Sequence, residues 1–263
     1  MVLEKIAVFR MVFHTCLATS LLVIPLAVWR WLFGITDWAV VPLSVLMALL
    51  FFGFMPIGAA VYKARLGAAL RSDATIAKVL TGKLKAYVES AVFAVVAVVV
   101  LSWQALTISA GELGAFVALS LAVGLGFSFF KILASTQFQE PFTTFLAFSS
   151  ATWIIGGMFV PLVAWVNWNY VSYPVELRNI DLPQTVLLGL QELPRRGGWV
   201  SEVLSPLFAY DAIKLWIVLQ LGASRLATII FSIDTALVSF IVARCIVTLT
   251  LLSQVYDVEI KHD

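Results

Sequence analysis

An all-α, polytopic transmembrane bundle of six or seven spans is the fold this sequence predicts, and three observations predict it. Of 263 residues, 62% are hydrophobic and 12% charged, against about 45–50% and 25% in soluble domains. Apolar stretches long enough to cross a bilayer recur along the chain. Inside one of them Ala110, Gly114, Ala118, Ala122 and Gly126 return at every fourth position, a pattern through which bilayer helices approach closely.

The first span is expected over about 11–33. Lys5 and Arg10 precede it, but the apolar run continues past Trp29 without a small-residue cleavage pattern, so it reads as a retained span rather than a signal peptide. A second span, about 38–62, follows a turn where Trp29, Trp31 and Trp38 form an interfacial aromatic belt. In the next segment Lys63, Arg65, Arg71, Lys78, Lys83 and Lys85 are opposed only by Asp73, which predicts a cytoplasmic loop and N-terminus. Ile76, Val79 and Leu80 alternate with its lysines in a pattern suited to an amphipathic helix on anionic headgroups.

Spans three to five are expected over about 86–108, 112–134 and 142–168. The small-residue stripe lies in the fourth and predicts a close helix contact. Thr143, Thr144, Ser149, Ser150, Thr152, Gly156, Gly157 and Pro161 make the fifth the helix best suited to bend. Beyond it Pro174, Pro183, Pro194, Gly197 and Gly198 divide a loop of about 169–203, placed on the non-cytoplasmic side. Val186, Leu187, Leu190 and Leu193 predict an interfacial helix there, and Trp165, Trp168, Tyr170, Tyr173 and Trp199 a second belt. A seventh candidate, about 204–222, either crosses, re-enters or lies in the interface; a crossing is favoured because Asp211 and Lys214, spaced i, i+3, reduce each other's insertion cost. The last span is about 228–252. The chain thus divides into two N-terminal helices with the basic loop (1–85), a helical membrane core (86–252) and a polar tail (253–263).

The net charge of +2 and the apolar composition exclude a nucleic-acid surface. Cys16 and Cys245 sit in apolar segments and read as packed thiols. With only His14 and His262 no multi-histidine centre can be built, and no P-loop, dinucleotide glycine pattern, nucleophile elbow or zinc-protease motif is present. Catalytic, cofactor and metal residues are therefore expected to be none. Ionisable residues at membrane depth are the remaining pointer to function. They are Asp234, Arg244 and Lys131, with Glu89 and Glu140 near span ends. Asp234 and Arg244 lie ten residues, about 15 Å, apart on one helix and need separate partners. For Asp234 the expected partner is Lys214 or Arg225.

The segment Leu215, Trp216, Ile217, Val218, Leu219, Gln220, Leu221, Gly222 resembles the apolar-Trp-apolar-apolar-Leu-x-x-Gly segment of bacterial Yip-family membrane proteins. Thr144 to Ser150 is similar to that family's third helix, and the likeness covers about 86–252. It implies a non-enzymatic integral membrane protein. The expected role is accordingly a scaffold or subunit of a membrane protein assembly, in contact with lipid and with other subunits or its own copies, in a bacterial inner membrane. The alternatives are a small transporter or channel using Asp234 and the fifth helix, and an accessory subunit of a membrane enzyme.

Overall fold

The computed structural model describes residues 2–69, 83–170, 180–221 and 225–259. Arg71, Asp73 and Lys78 of the basic loop, with its proposed amphipathic helix, lie outside them, as do Tyr173 and Pro174. Nine helices are described: α1 (Val2–Phe33), α2 (Val40–Ala69), α3 (Lys83–Thr107), α4 (Ala110–Ser135), α5 (Phe142–Ser150), α6 (Gly156–Tyr170), α7 (Leu182–Leu190), α8 (Trp199–Leu221) and α9 (Arg225–Glu259). A short 3₁₀ turn, Asp37–Ala39, joins α1 to α2, and a π turn, Ala151–Ile155, runs α5 directly into α6. Six stretches are long and apolar enough to cross a membrane, the α5–α6 pair counting as one. The protein is an all-α multi-pass bundle.

Local sequence explains where the helices start. Ser109 accepts from the Glu112 backbone N–H at 3.3 Å while the Glu112 carboxylate accepts from the Ser109 N–H at 2.7 Å, a capping box that opens α4 two residues after α3 ends. Thr36 accepts from the Trp38 N–H and starts the turn into α2. Serine and threonine inside the spans donate back to carbonyls one turn earlier, as Ser90 does to Ala86 and Ser120 to Phe116, so their hydroxyls cost little among apolar neighbours.

α9 is the central element. Val242, Ala243, Cys245, Ile246, Val247 and Leu249 are fully buried in it, and α1, α2, α4 and α6 pack around it. Small residues set the closest approaches. A Cβ on Gly53 of α2 would lie 2.8 Å from Thr248 Cγ2 and 3.0 Å from the Thr248 carbonyl oxygen, and one on Gly124 of α4 would lie 2.6 Å from Thr15 Cγ2 of α1. Lipid tails are as apolar as leucine, so such close packing, rather than hydrophobic burial, distinguishes an internal helix face from an outer one. His14 shares a buried 3.1 Å hydrogen bond with Ser253 between α1 and α9.

The stripe on α4 divides in two. Ala110, Gly114 and Ala118 are exposed, and a Cβ on Gly114 would meet nothing within 4 Å. Further along, Ala122 is half-buried and Gly126 meets Ile155 of the π turn. The buried face of α4 carries Phe116, Ser120, Gly124 and Ser128. It repeats every fourth residue too, but two residues out of phase, which is about 200° around the helix. The expected close contact thus holds at Gly126 and not along the upper stripe within this chain.

α7 and α8 form an antiparallel hairpin, with Gly189 against Phe208 and Ala212, and the Trp216 indole donating to the Ile180 carbonyl at 2.9 Å. Its turn is clasped to the α1–α2 corner: Arg196 pairs with Asp37 at 2.7 Å and donates to the Phe33 carbonyl at 3.0 Å. Gly198, at φ +113°, sits against the Asp37 carboxylate where no side chain fits. The start of α8 therefore lies beside this corner, while Tyr210, eleven residues on, stacks edgewise on Trp103 in the last turns of α3. Both neighbours belong to the same end of the bundle, so α8 lies across that end, and of the six or seven spans expected six are long and apolar enough to cross. Pro206 and the Asp211–Lys214 pair suit this placement better than the middle of a bilayer.

Candidate functional site

The charges proposed from sequence are only partly brought together. Lys214 pairs with Asp211 of its own helix at 2.8 Å and lies over the rings of Trp103 and Tyr210. Asp234 and Arg225 belong to α9, but their side chains lie outside the described residues. Lys131 donates to the Gln254 side-chain oxygen at 3.1 Å, and Glu140 accepts from the Thr144 hydroxyl at 2.8 Å. The first and last of these are local, three and four residues apart, whereas the Lys131–Gln254 bond joins α4 to α9. Among the described residues no three His, Cys, Asp or Glu side chains converge.

Arg244 is different. It lies midway along the apolar stretch of α9, Thr235–Val255, and its guanidinium carbon sits 4.6 Å from the ring centre of Phe54, 4.9 Å from Phe93 and 5.6 Å from Phe148. The cage comes from three elements, α2, α3 and α5. Phe54 packs on Phe93 at 5.1 Å and on Phe148 at 5.8 Å between centroids, so the rings fix one another. Gly53 lets α2 approach Thr248 one turn beyond Arg244, and Gly156 lets α6 approach Phe240 and Ala243 on the turn before it. The π turn Ala151–Ile155 lies between Phe148, which faces the cage, and Gly156, which faces Phe240 and Ala243 of α9.

The guanidinium looks into a cavity of about 190 Å³ lined by Ile57, Gly58, Val61 and Phe145, with Tyr62, Lys85 and Glu89 toward its mouth. Lys85 pairs with Glu89 at 3.6 Å and lies 4.5 Å above the Tyr62 ring. The pocket thus extends from the α3 start toward mid-helix depth.

Energetics define what this arrangement does. An arginine at the centre of a membrane helix costs about 2.5–3.5 kcal/mol on insertion scales, and each aromatic face returns about 0.5–2 kcal/mol by cation–π attraction. The cage is of the right size to hold the charge. It cannot satisfy the guanidinium's five N–H donors, since rings are poor acceptors. Arg244 Nε is buried without a hydrogen-bond partner. Arg244 and Lys85 outweigh the single carboxylate of Glu89 on the cavity wall, so the pocket is electropositive and its inner end presents a planar fork of donors.

The sequence marked Arg244 as a charge at depth, but its cage was not anticipated: Phe54, Phe93 and Phe148 are separated along the chain, and phenylalanine is unremarkable in an apolar span. No protein family, curated protein or solved structure matches this chain.

Proposed function

We propose that this chain is a non-catalytic multi-pass membrane protein that binds an anionic group, a phosphate or carboxylate, in the Arg244 cavity. The observation that carries the reading is the caged arginine with a buried, unpartnered Nε in an electropositive pocket. A bidentate oxyanion supplies the acceptors that the phenylalanines lack. The basic excess from Lys63 to Lys85 supports placing the mouth of this cavity, and the N-terminus, on the cytoplasmic side of a bacterial inner membrane. The Yip-like reading of the C-terminal third fits the same non-enzymatic class.

The test is titration of detergent-purified protein with acetate, orthophosphate and hexyl phosphate, followed by calorimetry and thermal unfolding. The expected result is saturable binding that Arg244→Gln abolishes, that Arg244→Lys weakens, and that Gly58→Leu blocks by filling the cavity. Failure of the parent protein to bind any of the three, or equal binding by all variants, removes the proposal. Reconstitution in liposomes then separates binding from transport, because a carrier moves the bound anion across the bilayer and a binding subunit does not.

A second reading, scaffold or subunit of a membrane assembly, is favoured by the exposed Ala110, Gly114 and Ala118 face of α4, on which another helix could rest closely. Cross-linking from cysteines placed at Gly114 and Ala118 tests it: a defined membrane-protein adduct, or a dimer of this chain, is the expected product, and random or absent cross-links argue against it.

A further inference from the structure

At the opposite end of the bundle, α1 and α3 are pinned together but do not close. The Trp29 indole donates to the Ser102 carbonyl at 2.9 Å, yet beside that tether the facing residues are Ala27 and Ala105, too small to fill the gap. A groove of about 140 Å³ results, lined by Leu26, Ala27, Leu101, Ala105 and Phe116, with Arg30 at its mouth. Apart from Arg30 and Gln104 every lining residue is apolar. The α1 wall runs from Val23 to Arg30 and the other wall from Leu101 of α3 to Ile108 just past its end, eight residues each, or about 10 Å of depth.

Arg30 donates from Nη1 to the carbonyls of Ala105 at 3.2 Å and Ile108 at 3.1 Å, which closes off the end of α3. These bonds engage Nη1 and hold the guanidinium at the groove, and neither uses Nη2 or Nε. Among the described residues no carboxylate is within ion-pair distance of it, whereas Arg196 at the same end is neutralised by Asp37. Trp31 and Trp38, 71% and 77% exposed, flank the same level and mark it as the depth where lipid headgroups lie.

We propose that this groove is a phospholipid site, taking one acyl chain between α1 and α3 and the lipid phosphate on Arg30. The two halves of the lipid match the two halves of the site: an apolar slot leading toward the bilayer core, and one uncompensated cation at headgroup depth with planar donors suited to a phosphodiester. The site is separate from the Arg244 cavity and stands whether or not that cavity binds an anion.

The experiment is native mass spectrometry of the full chain in mild detergent with phosphatidylglycerol, diacylglycerol or inorganic phosphate, paired with thermal unfolding. One phosphatidylglycerol is expected to be retained and to raise the unfolding temperature. Arg30→Gln should lower retention about tenfold, the loss of a charge-assisted contact, and Ala27→Phe should lower it comparably by filling the groove from its exposed side. Should Arg30→Gln fold poorly, the Ala27→Phe result decides alone. Equal retention by the parent and Ala27→Phe, equal binding of diacylglycerol, or full stabilisation by inorganic phosphate would each overturn the proposal, the last by assigning Arg30 to a free anion.

Discussion

Gly53 shows how much a single residue decides. Its missing side chain permits the α2–α9 contact at Thr248, one turn from Arg244, and thereby sets where Phe54 stands. Gly53→Ala puts a methyl against a backbone carbonyl that cannot rotate away, so we expect a loss of about 1–3 kcal/mol as in other overpacked cores, read as a lower unfolding temperature in detergent. Weaker anion binding should accompany it. Gly58→Ala, where the added Cβ stays 3.7 Å from its nearest neighbour, should leave stability unchanged. Arg244 itself was visible in the sequence because a charge among apolar residues stands out. Phe54, Phe93 and Phe148 were not, since what marks them is convergence from three helices rather than any local feature.

Elements were legible in their extent and illegible in their facing. Hydropathy alone locates α1 to α4, the α5–α6 pair and α9, because each needs roughly the same apolar length to cross. It does not say which side of α4 turns inward, for lipid and protein interior are similarly apolar. The visible small stripe and the true packing face differ by two residues in phase. This yields a paired prediction: Gly124→Leu should strongly destabilise the isolated chain by driving into Thr15, and Gly114→Leu, facing open space, should not. Equal unfolding temperatures for the two variants would show that α4 is rotated from the orientation described. In α8 the compensating charges Asp211 and Lys214 were visible from spacing, but compensation makes a crossing affordable without requiring one. The Arg196–Asp37 clasp, unreadable from spacing because 159 residues separate its members, decides where the helix lies.

For the whole molecule, six crossings put both ends of the described chain, with Lys63 and Lys85, on one side of the bilayer and the α7–α8 hairpin on the other. Single cysteines near Arg71 and near Glu192, in a chain without Cys16 and Cys245, should label oppositely with an impermeant thiol reagent in sealed cells. The Arg71 position should react only after permeabilisation. Labelling of both from outside would be incompatible with the three crossings between them as well as with the charge-based orientation.

The hydrogen bond between His14 and Ser253 also carries a consequence in time. Its partners are 239 residues apart, so at typical synthesis rates of about 5–20 residues per second the first helix exists for on the order of 10–50 s before the last one is made. Throughout that interval His14, on the inward face of α1, stands in the bilayer without the α9 surface that will cover it. Early assembly therefore has an open slot of the shape of α9, and the insertion of that helix, rather than of any earlier one, is the event after which the bundle can no longer exchange its first helix with a neighbour.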